Sequence, residues 1–240
     1  MAAPTPPVRR WSFSALKDFE ACPYRTYLAK VQKEPQPEIG DQPDHPLVRG
    51  DRIHKEAEAF IRGEGPLTRD LRKQSARLKE LAEGYEEGRV LVEERWCFRQ
   101  DWSVCDPDDP DIWLMVIADA VEFPNNNTAI IDDWKTGKSM GKEVAHGQQR
   151  QLYALAAFMR FAKITHIRSA MRYLDEKPDQ KKDTGFSRES IAPLIQRWEQ
   201  RAKAMTNALV FPAKPNRGNC RFCPFGPSNG TGACSYGVEA

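Results

Sequence analysis

The stretch IIDDWKTGK at residues 130–138 places two adjacent aspartates and a lysine at the end of an apolar run. The run is typical of a β-strand, in which successive side chains point to opposite faces. Asp133 and Lys135 therefore project from one face, whereas Asp132 and Trp134 project from the other. The alternation separates the two aspartates: we expect Asp133 to lie beside the lysine and Asp132 to be a bystander that faces away.

The preceding apolar run contains another acid. Asp119 lies among aliphatic residues in VIADAVEF (116–123), and a short turn of Pro and Asn residues separates this run from the next. Antiparallel pairing through that turn would bring Asp119 near Asp133. Two carboxylates in a partly buried site repel each other unless a cation neutralises them, and oxygen ligands suit Mg²⁺ or Mn²⁺. Two interpretations stay open for IIDDWKTGK alone: the solvated exit of a core strand, or half of a metal site.

The bulk properties are those of an ordinary globular chain. Its 240 residues (27.3 kDa) fit one large domain, or a domain with a small appendage. The net charge of +2 permits a local nucleic-acid patch without arguing for one. No apolar run reaches bilayer length, and MAAPTPPVRRW lacks the apolar core of a secretory signal. We expect a cytoplasmic protein without membrane contact, whose residues 1–11 are a disordered lead-in.

The periodicity predicts an α/β chain. A first helix begins at Ser12 or Ser14 and is interrupted at Pro23. The remaining predicted elements are helices over 47–61 and from Pro66, strands over 89–99, 111–123 and 125–135, a helix over 147–162, a strand over 164–176, a lysine-rich loop, a helix over 190–209 and an irregular tail. The helix from Pro66 has a basic face formed by Arg69, Arg72, Lys73, Arg77 and Lys79. We interpret that face as solvated rather than as a DNA-binding stripe.

Two helical segments add polar residues at regular spacing. VRGDRIHKEAEAF places His54 four residues after Gly50, and QQRQLYALAAF places Gln149 and Tyr153 four apart on one helix face. Each pattern alone is typical of an ordinary amphipathic helix.

Taken in order, these pieces resemble the RecB-like branch of the PD-(D/E)XK nuclease superfamily. That branch includes the nuclease domains of RecB and the AddAB proteins and the CRISPR-associated exonucleases of the Cas-four type. The resemblance rests on Gly50 with His54, Asp119, DWKTGK (133–138), and Gln149 with Tyr153. It implies a restriction-endonuclease-like core, with a mixed central sheet flanked by helices, over residues 12–212.

The resemblance also implies roles for individual residues. The implied metal ligands, for Mg²⁺ or Mn²⁺, are His54, Asp119, Asp133 and the backbone carbonyl of Trp134. Lys135 would be the catalytic lysine. Gln149 and Tyr153 would support the site and contact DNA.

Four cysteines could form a separate metal site. They are Cys22, Cys220, Cys223 and Cys234. Four thiolates can hold a [4Fe–4S] cluster or a Zn²⁺ ion. One cysteine near the first helix and three in the tail is the arrangement of the iron–sulfur nucleases of the same branch. The resemblance therefore implies that the Cys-rich tail (213–240) docks back on Cys22 to form the cluster site.

Three functions agree with these patterns. The first is a metal-dependent DNA nuclease, an exonuclease on single-stranded or end-containing DNA, whose product carries a 5′-phosphate as the family implies. The second is a non-catalytic DNA-binding or scaffold subunit of a recombination or CRISPR-adaptation complex. The third is a structure- or site-specific endonuclease. The sequence has no G-x-x-x-x-G-K-[ST] motif, so helicase activity would have to come from a partner protein.

Overall fold

Helices and strands alternate along the chain. The structure is a computed structural model that describes residues 5–40, 42, 45–178 and 183–239. The α-helices are α1 (Phe13–Ala21), α2 (Pro23–Thr26), α3 (Pro46–Ile61), α4 (Ser75–Glu86), α5 (Glu143–Arg160), α6 (Ala192–Thr206) and α7 (Arg217–Arg221). A π-helix covers Tyr27–Gln32, and 3₁₀ turns cover Arg72–Gln74 and Arg188–Ser190. The strands are β1 (Val90–Phe98), β2 (Val104–Cys105), β3 (Leu114–Asn125), β4 (Thr128–Lys135), β5 (His166–Tyr173) and β6 (Thr184–Ser187).

The strands form one mixed six-stranded sheet in the order β2-β1-β3-β4-β5-β6. β3 and β4 pair antiparallel, as the short turn between them predicts, whereas β4 and β5 pair parallel. A parallel neighbour requires a crossover connection, and α5 provides it. The result is a mixed α/β fold with helices beside the sheet, in agreement with the predicted fold class.

The chain divides into two compact units. One contains residues 41–109 and 116–195, and the other contains residues 1–40, 110–115 and 196–240. In the first unit, α3 contributes Ile53, Ala57 and Ile61 to a hydrophobic cluster with α4 and the sheet. Their spacing of four residues places these side chains on one helix face.

The second unit is built from both chain ends. Ser12 caps α1 by accepting a hydrogen bond from the Ala15 N–H. Trp11 is buried, stacks on Trp198 and meets Trp113 edge to face. Aromatic pairs of this kind stabilise a core beyond the area that they bury. Val8 and Trp11 are both buried, in contrast to the disordered lead-in predicted over residues 1–11, and residues 1–4 lie outside the described part.

Other boundaries also differ from the prediction. The helix expected from Pro66 begins only at Ser75, and the short strands β2 and β6 were not predicted. The break predicted at Pro23 is present, because Pro23 opens α2 at a position where its missing N–H costs nothing. No helix in the described ranges is both long and apolar enough to cross a membrane.

Candidate active site

The pairing of β3 with β4 brings two acids together in the larger unit. Ala120 lies opposite Asp132 in this ladder, so the preceding Asp119 and the following Asp133 are neighbours. Both side chains are buried, and the Oδ2 atom of Asp119 accepts a hydrogen bond of 2.7 Å from the Trp134 N–H. The Trp134 side chain lies in the hydrophobic cluster, so only its backbone is available to the site.

Lys135 lies on the same face as Asp133, as the strand alternation predicts. Its ammonium group contacts the Asp133 carboxylate, and its side chain is 22% exposed. Burial lowers the pKa of Lys135, but the charges of Asp133 and Asp119 outweigh burial and leave the pKa raised. Burial raises the pKa of Asp133 to about 6 against the opposing charge of Lys135, and Asp119 adds to the rise. Two acids and one lysine thus share a site that is largely shielded from solvent.

His54 reaches this site from α3. Its Nδ1 atom lies 3.2 Å from the Oδ2 atom of Asp119. Burial lowers the pKa of His54, but its hydrogen bond and charge interaction with Asp119 outweigh burial and raise the pKa overall. A histidine held by a carboxylate in this way has one ring nitrogen oriented and the other free for a ligand.

Glu93 of β1 is a member of the site that the sequence analysis missed. One ligand atom each from His54, Glu93 and Asp119 lies within 4.8 Å of the other two. Glu93 has a φ of 53°, a left-handed conformation that is rare for a residue other than glycine. Burial, with the charge of Asp119, raises its pKa to about 7. The available sequence signal was the pair of glutamates within the apolar strand VLVEERWCF.

Gln149 and Tyr153 of α5 support the acids from the other side. The Gln149 amide donates to the Oδ1 atom of Asp133 at 3.2 Å and lies 2.8 Å from the Tyr153 hydroxyl. Burial and the neighbouring charges of Asp133 and Asp119 raise the pKa of Tyr153, so the phenol stays protonated. The structure therefore brings His54, Asp119, Asp133, Lys135, Gln149 and Tyr153 together with Glu93. This arrangement can hold a divalent cation and present a positive charge beside it.

The four cysteines singled out in the sequence lie in the smaller unit. They line one cavity of about 370 Å³: Cys22, Cys220, Cys223 and Cys234. All four are free thiols. The Lys214 N–H donates to the Sγ atom of Cys22 at 3.4 Å. A Cβ atom added at Gly226 would lie 2.8 Å from the Cys220 carbonyl oxygen, so the tail turns back too tightly for a side chain there.

The chain is similar to solved structures and to a family model. The crystal structure of SSO0001 is 15% identical with a TM-score of 0.49, and the match covers 96% of this chain and 88% of that chain. A protein from Eubacterium rectale, named "Putative exonuclease", is 11% identical with a TM-score of 0.48, and the match covers 90% of this chain and 86% of that chain. No curated protein matches the sequence. The family model of the PD-(D/E)XK nuclease superfamily matches residues 10–106 and 103–228, so nearly the whole chain is accounted for. The chain therefore belongs to the PD-(D/E)XK nuclease superfamily.

Proposed function

We propose that the chain is a divalent-metal-dependent deoxyribonuclease that acts as an exonuclease on single-stranded or end-containing DNA. The group formed by His54, Glu93 and Asp119, beside the contact between Asp133 and Lys135, is the observation that supports this proposal most directly. The superfamily to which the chain belongs consists of nucleases that use divalent metals such as Mg²⁺ and Mn²⁺.

The donor set fits such a metal. Asp119 and Asp133 are almost fully buried, and two buried carboxylates repel each other unless a cation offsets their charge. We propose His54, Glu93, Asp119 and Asp133 as ligands, together with the carbonyl of Trp134. Mg²⁺ or Mn²⁺ in this position lowers the pKa of bound water and offsets the charge that develops on the phosphate.

Lys135 acts as a fixed positive charge in the proposed reaction. Its raised pKa keeps the ammonium protonated, so it orients the attacking water or stabilises the phosphate oxygens rather than accepting a proton. Gln149 holds Asp133, and Tyr153 lies within hydrogen-bond distance of Gln149. The water oxygen loses a proton to solvent and forms a bond to phosphorus while the bond from phosphorus to the 3′ oxygen breaks, and the leaving 3′ oxygen takes up a proton from solvent. The products are a 5′-phosphate and a 3′-hydroxyl.

Lys135→Ala tests this function. We expect the variant to lose Mg²⁺- or Mn²⁺-dependent degradation of single-stranded DNA by about 10²–10³-fold or more, because a positive donor to the transition state is removed. Lys163→Ala, at an exposed lysine beyond the end of α5, is the matched control and should keep wild-type activity. Circular dichroism and thermal unfolding check that both variants fold.

The substrate panel should include linear and circular DNA, single- and double-stranded. An exonuclease leaves closed circles intact, so cleavage of circular single strands would replace the proposal with an endonuclease. A wild-type protein that cleaves no form of DNA with either metal would leave a non-catalytic DNA-binding subunit.

We also propose that the cysteine cavity holds a [4Fe–4S] cluster. Its support is the convergence of four thiols on one cavity, with a backbone N–H directed at one sulfur. The tail packs through Phe225, which is buried in a cluster with Leu28, and ligation of the thiols would add to that packing. Zn²⁺ is the alternative occupant of four thiolates.

Anaerobic purification separates the two occupants. A cluster gives a brown protein with broad absorption near roughly 400 nm, where Cys-ligated iron absorbs, and contains iron and acid-labile sulfide. A colourless protein that contains zinc would refute the cluster. Cys223→Ser should remove the colour, whereas Cys97→Ser, at a buried cysteine of β1, should leave it unchanged.

A further inference from the structure

The chain segment that follows the candidate active site exposes both basic and apolar side chains. We call residues 136–144 the rim segment: they follow Lys135 directly and connect β4 to the first turn of α5. A Cβ atom at Gly50 of α3 would lie 3.9 Å from Thr136 Oγ1, so the segment starts beside the helix that carries His54. The rim segment therefore borders the site.

Hydrogen bonds fix the backbone of the rim segment at two points. The Gly137 N–H donates to the Oδ2 atom of Asp175 at 2.6 Å, and both Asp175 oxygens also accept from the guanidinium group of Arg49, at 2.7 and 2.9 Å. The Ser139 N–H donates to a Glu176 carboxylate oxygen at 2.7 Å. Two backbone hydrogen bonds thus hold the segment at its base.

Four exposed side chains of the rim segment alternate between basic and apolar. Met140 is 82% exposed and Val144 is 76% exposed, although both are apolar. Lys138 and Lys142 are exposed beside them, and within the described residues neither lysine makes an ion pair. The one acid among them, Glu143, accepts a hydrogen bond from a backbone N–H within the segment. A surface at the edge of the site therefore presents two exposed lysines and two exposed apolar side chains.

We propose that the rim segment binds the single-stranded DNA that leads into the site, with Lys138 and Lys142 on phosphates and Met140 and Val144 against unstacked bases. This inference rests on the proposed function and adds the surface that selects single strands. Lysines neutralise phosphates and release counterions, and exposed apolar side chains are removed from water when they cover the face of an unstacked base. The charge complementarity favours a polyanion over an apolar protein partner. Paired and stacked bases of a duplex present no free faces to Met140 and Val144, so single strands and frayed ends bind best.

Salt dependence tests the two lysines. All binding is measured in the Lys135→Ala background with Mg²⁺, using a fluorescent single-stranded oligonucleotide. The slope of log K against log [salt] is negative, and each lost phosphate contact on a single strand reduces its magnitude by about 0.7, so Lys138→Ala/Lys142→Ala should reduce the magnitude by about 1.4. The control pair Lys79→Ala/Lys163→Ala, also exposed in the same unit, should leave the slope unchanged.

Base fluorescence tests the two apolar residues. A single strand with 2-aminopurine brightens when its stacking is disrupted, and we expect binding of the parent protein to brighten it. Met140→Ser/Val144→Ser should abolish this increase while keeping the salt slope. Val104→Ser, at a half-exposed residue of β2, is the apolar control. Matching thermal unfolding temperatures show that the variants fold.

Two results would overturn the inference. If the rim variants keep the full salt slope and the full 2-aminopurine signal while wild type cleaves DNA, the rim assignment fails and the proposed function stands. If the parent protein binds no DNA and wild type cleaves none, both fail together. If the control pair reduces the magnitude of the salt slope as much as the rim pair does, the slope reports general surface charge. That result would also overturn the assignment.

Discussion

Asp132 and Asp133 are adjacent and both buried, yet their surroundings are opposite. Asp133 shares its face with Lys135, whereas Asp132 faces away, as the strand alternation predicts. Asp132 is not a bystander, however. The guanidinium groups of Arg77 and Arg172 lie 2.7 and 2.5 Å from its oxygens. One aspartate therefore belongs to the candidate site, and its neighbour belongs to a buried ion cluster that supports the sheet.

This contrast predicts different effects of the same substitution. Asp132→Asn leaves two buried guanidinium groups without their main counter-charge and should cost roughly 3–5 kcal/mol of unfolding free energy. Asp133→Asn should cost less, because burial and Asp119 already disfavour its charge, but should abolish cleavage. Urea unfolding and a nuclease assay measure the two effects. Equal destabilisation by both substitutions would contradict this division of roles.

Glu93 yields a second prediction at the residue scale. Glu93→Gln keeps the side-chain shape but removes the charge, so the Mg²⁺ concentration for half-maximal activity should rise by at least about tenfold if Glu93 is a ligand. Glu93→Gly also removes the ligand, but glycine adopts the φ of 53° without strain, so this variant should unfold at no lower a temperature than Glu93→Gln. Unchanged metal dependence in both variants would exclude Glu93 from the metal site.

The sequence predicted the residues whose direction follows from regular periodicity. Asp133 and Lys135 share a face because a strand alternates, and Gln149 and Tyr153 share one because a helix repeats every 3.6 residues. Glu93 was missed for a physical reason. Its left-handed φ lies inside the continuous strand β1, and nothing in the side-chain type Glu predicts such a conformation.

At the scale of elements, the spacing of apolar residues predicted which side chains are buried better than it predicted where a helix begins. The helix expected from Pro66 begins at Ser75, yet Leu71, which lies before it at helical spacing from Leu78, is fully buried. The basic face expected to be solvated contains Arg77, whose side chain is only 14% exposed because Asp132 and Glu122 pair with it. Acids contributed by distant strands cannot be read from the helix alone.

The anchor of the rim segment carries a pH prediction. Hydrogen bonding from Arg49, with the Gly137 N–H, lowers the pKa of Asp175. A carboxylate whose pKa is lowered by folding stabilises the folded state at pH values above its unfolded pKa of about 3.9. That stabilisation is lost as the pH falls through the lower pKa of the folded state. Asp175→Asn should therefore cost at most about 1 kcal/mol near neutral pH, and the difference from wild type should vanish in acid. Urea unfolding at pH 7 and below pH 4 measures it, and a difference that grew in acid would contradict the assignment.

At the scale of the whole molecule, the cysteine cavity predicts a stability effect that is separate from catalysis. Cys223→Ser should lower the unfolding temperature and expose the tail to proteolysis, because the proposed cluster would no longer hold it. Metal binding at the candidate active site should persist, since none of its ligands comes from the smaller unit. Calorimetry with Mn²⁺ and limited proteolysis test the two halves of this prediction. If Cys223→Ser lost both the resistance of the tail to proteolysis and the binding of Mn²⁺, the cavity and the candidate active site would not be independent.

The cavity also sets an order of events during synthesis. Cys22 and Cys234 line the same space, although nearly the full chain lies between them. At roughly 5–20 residues per second, Cys22 leaves the catalytic centre of the ribosome about 10–40 s before Cys234 is added. The larger unit completes its sequence within that interval, when residue 195 is added, while the first cysteine still lacks its partners. A site that needs all four thiols can therefore assemble only after Cys234 has been added.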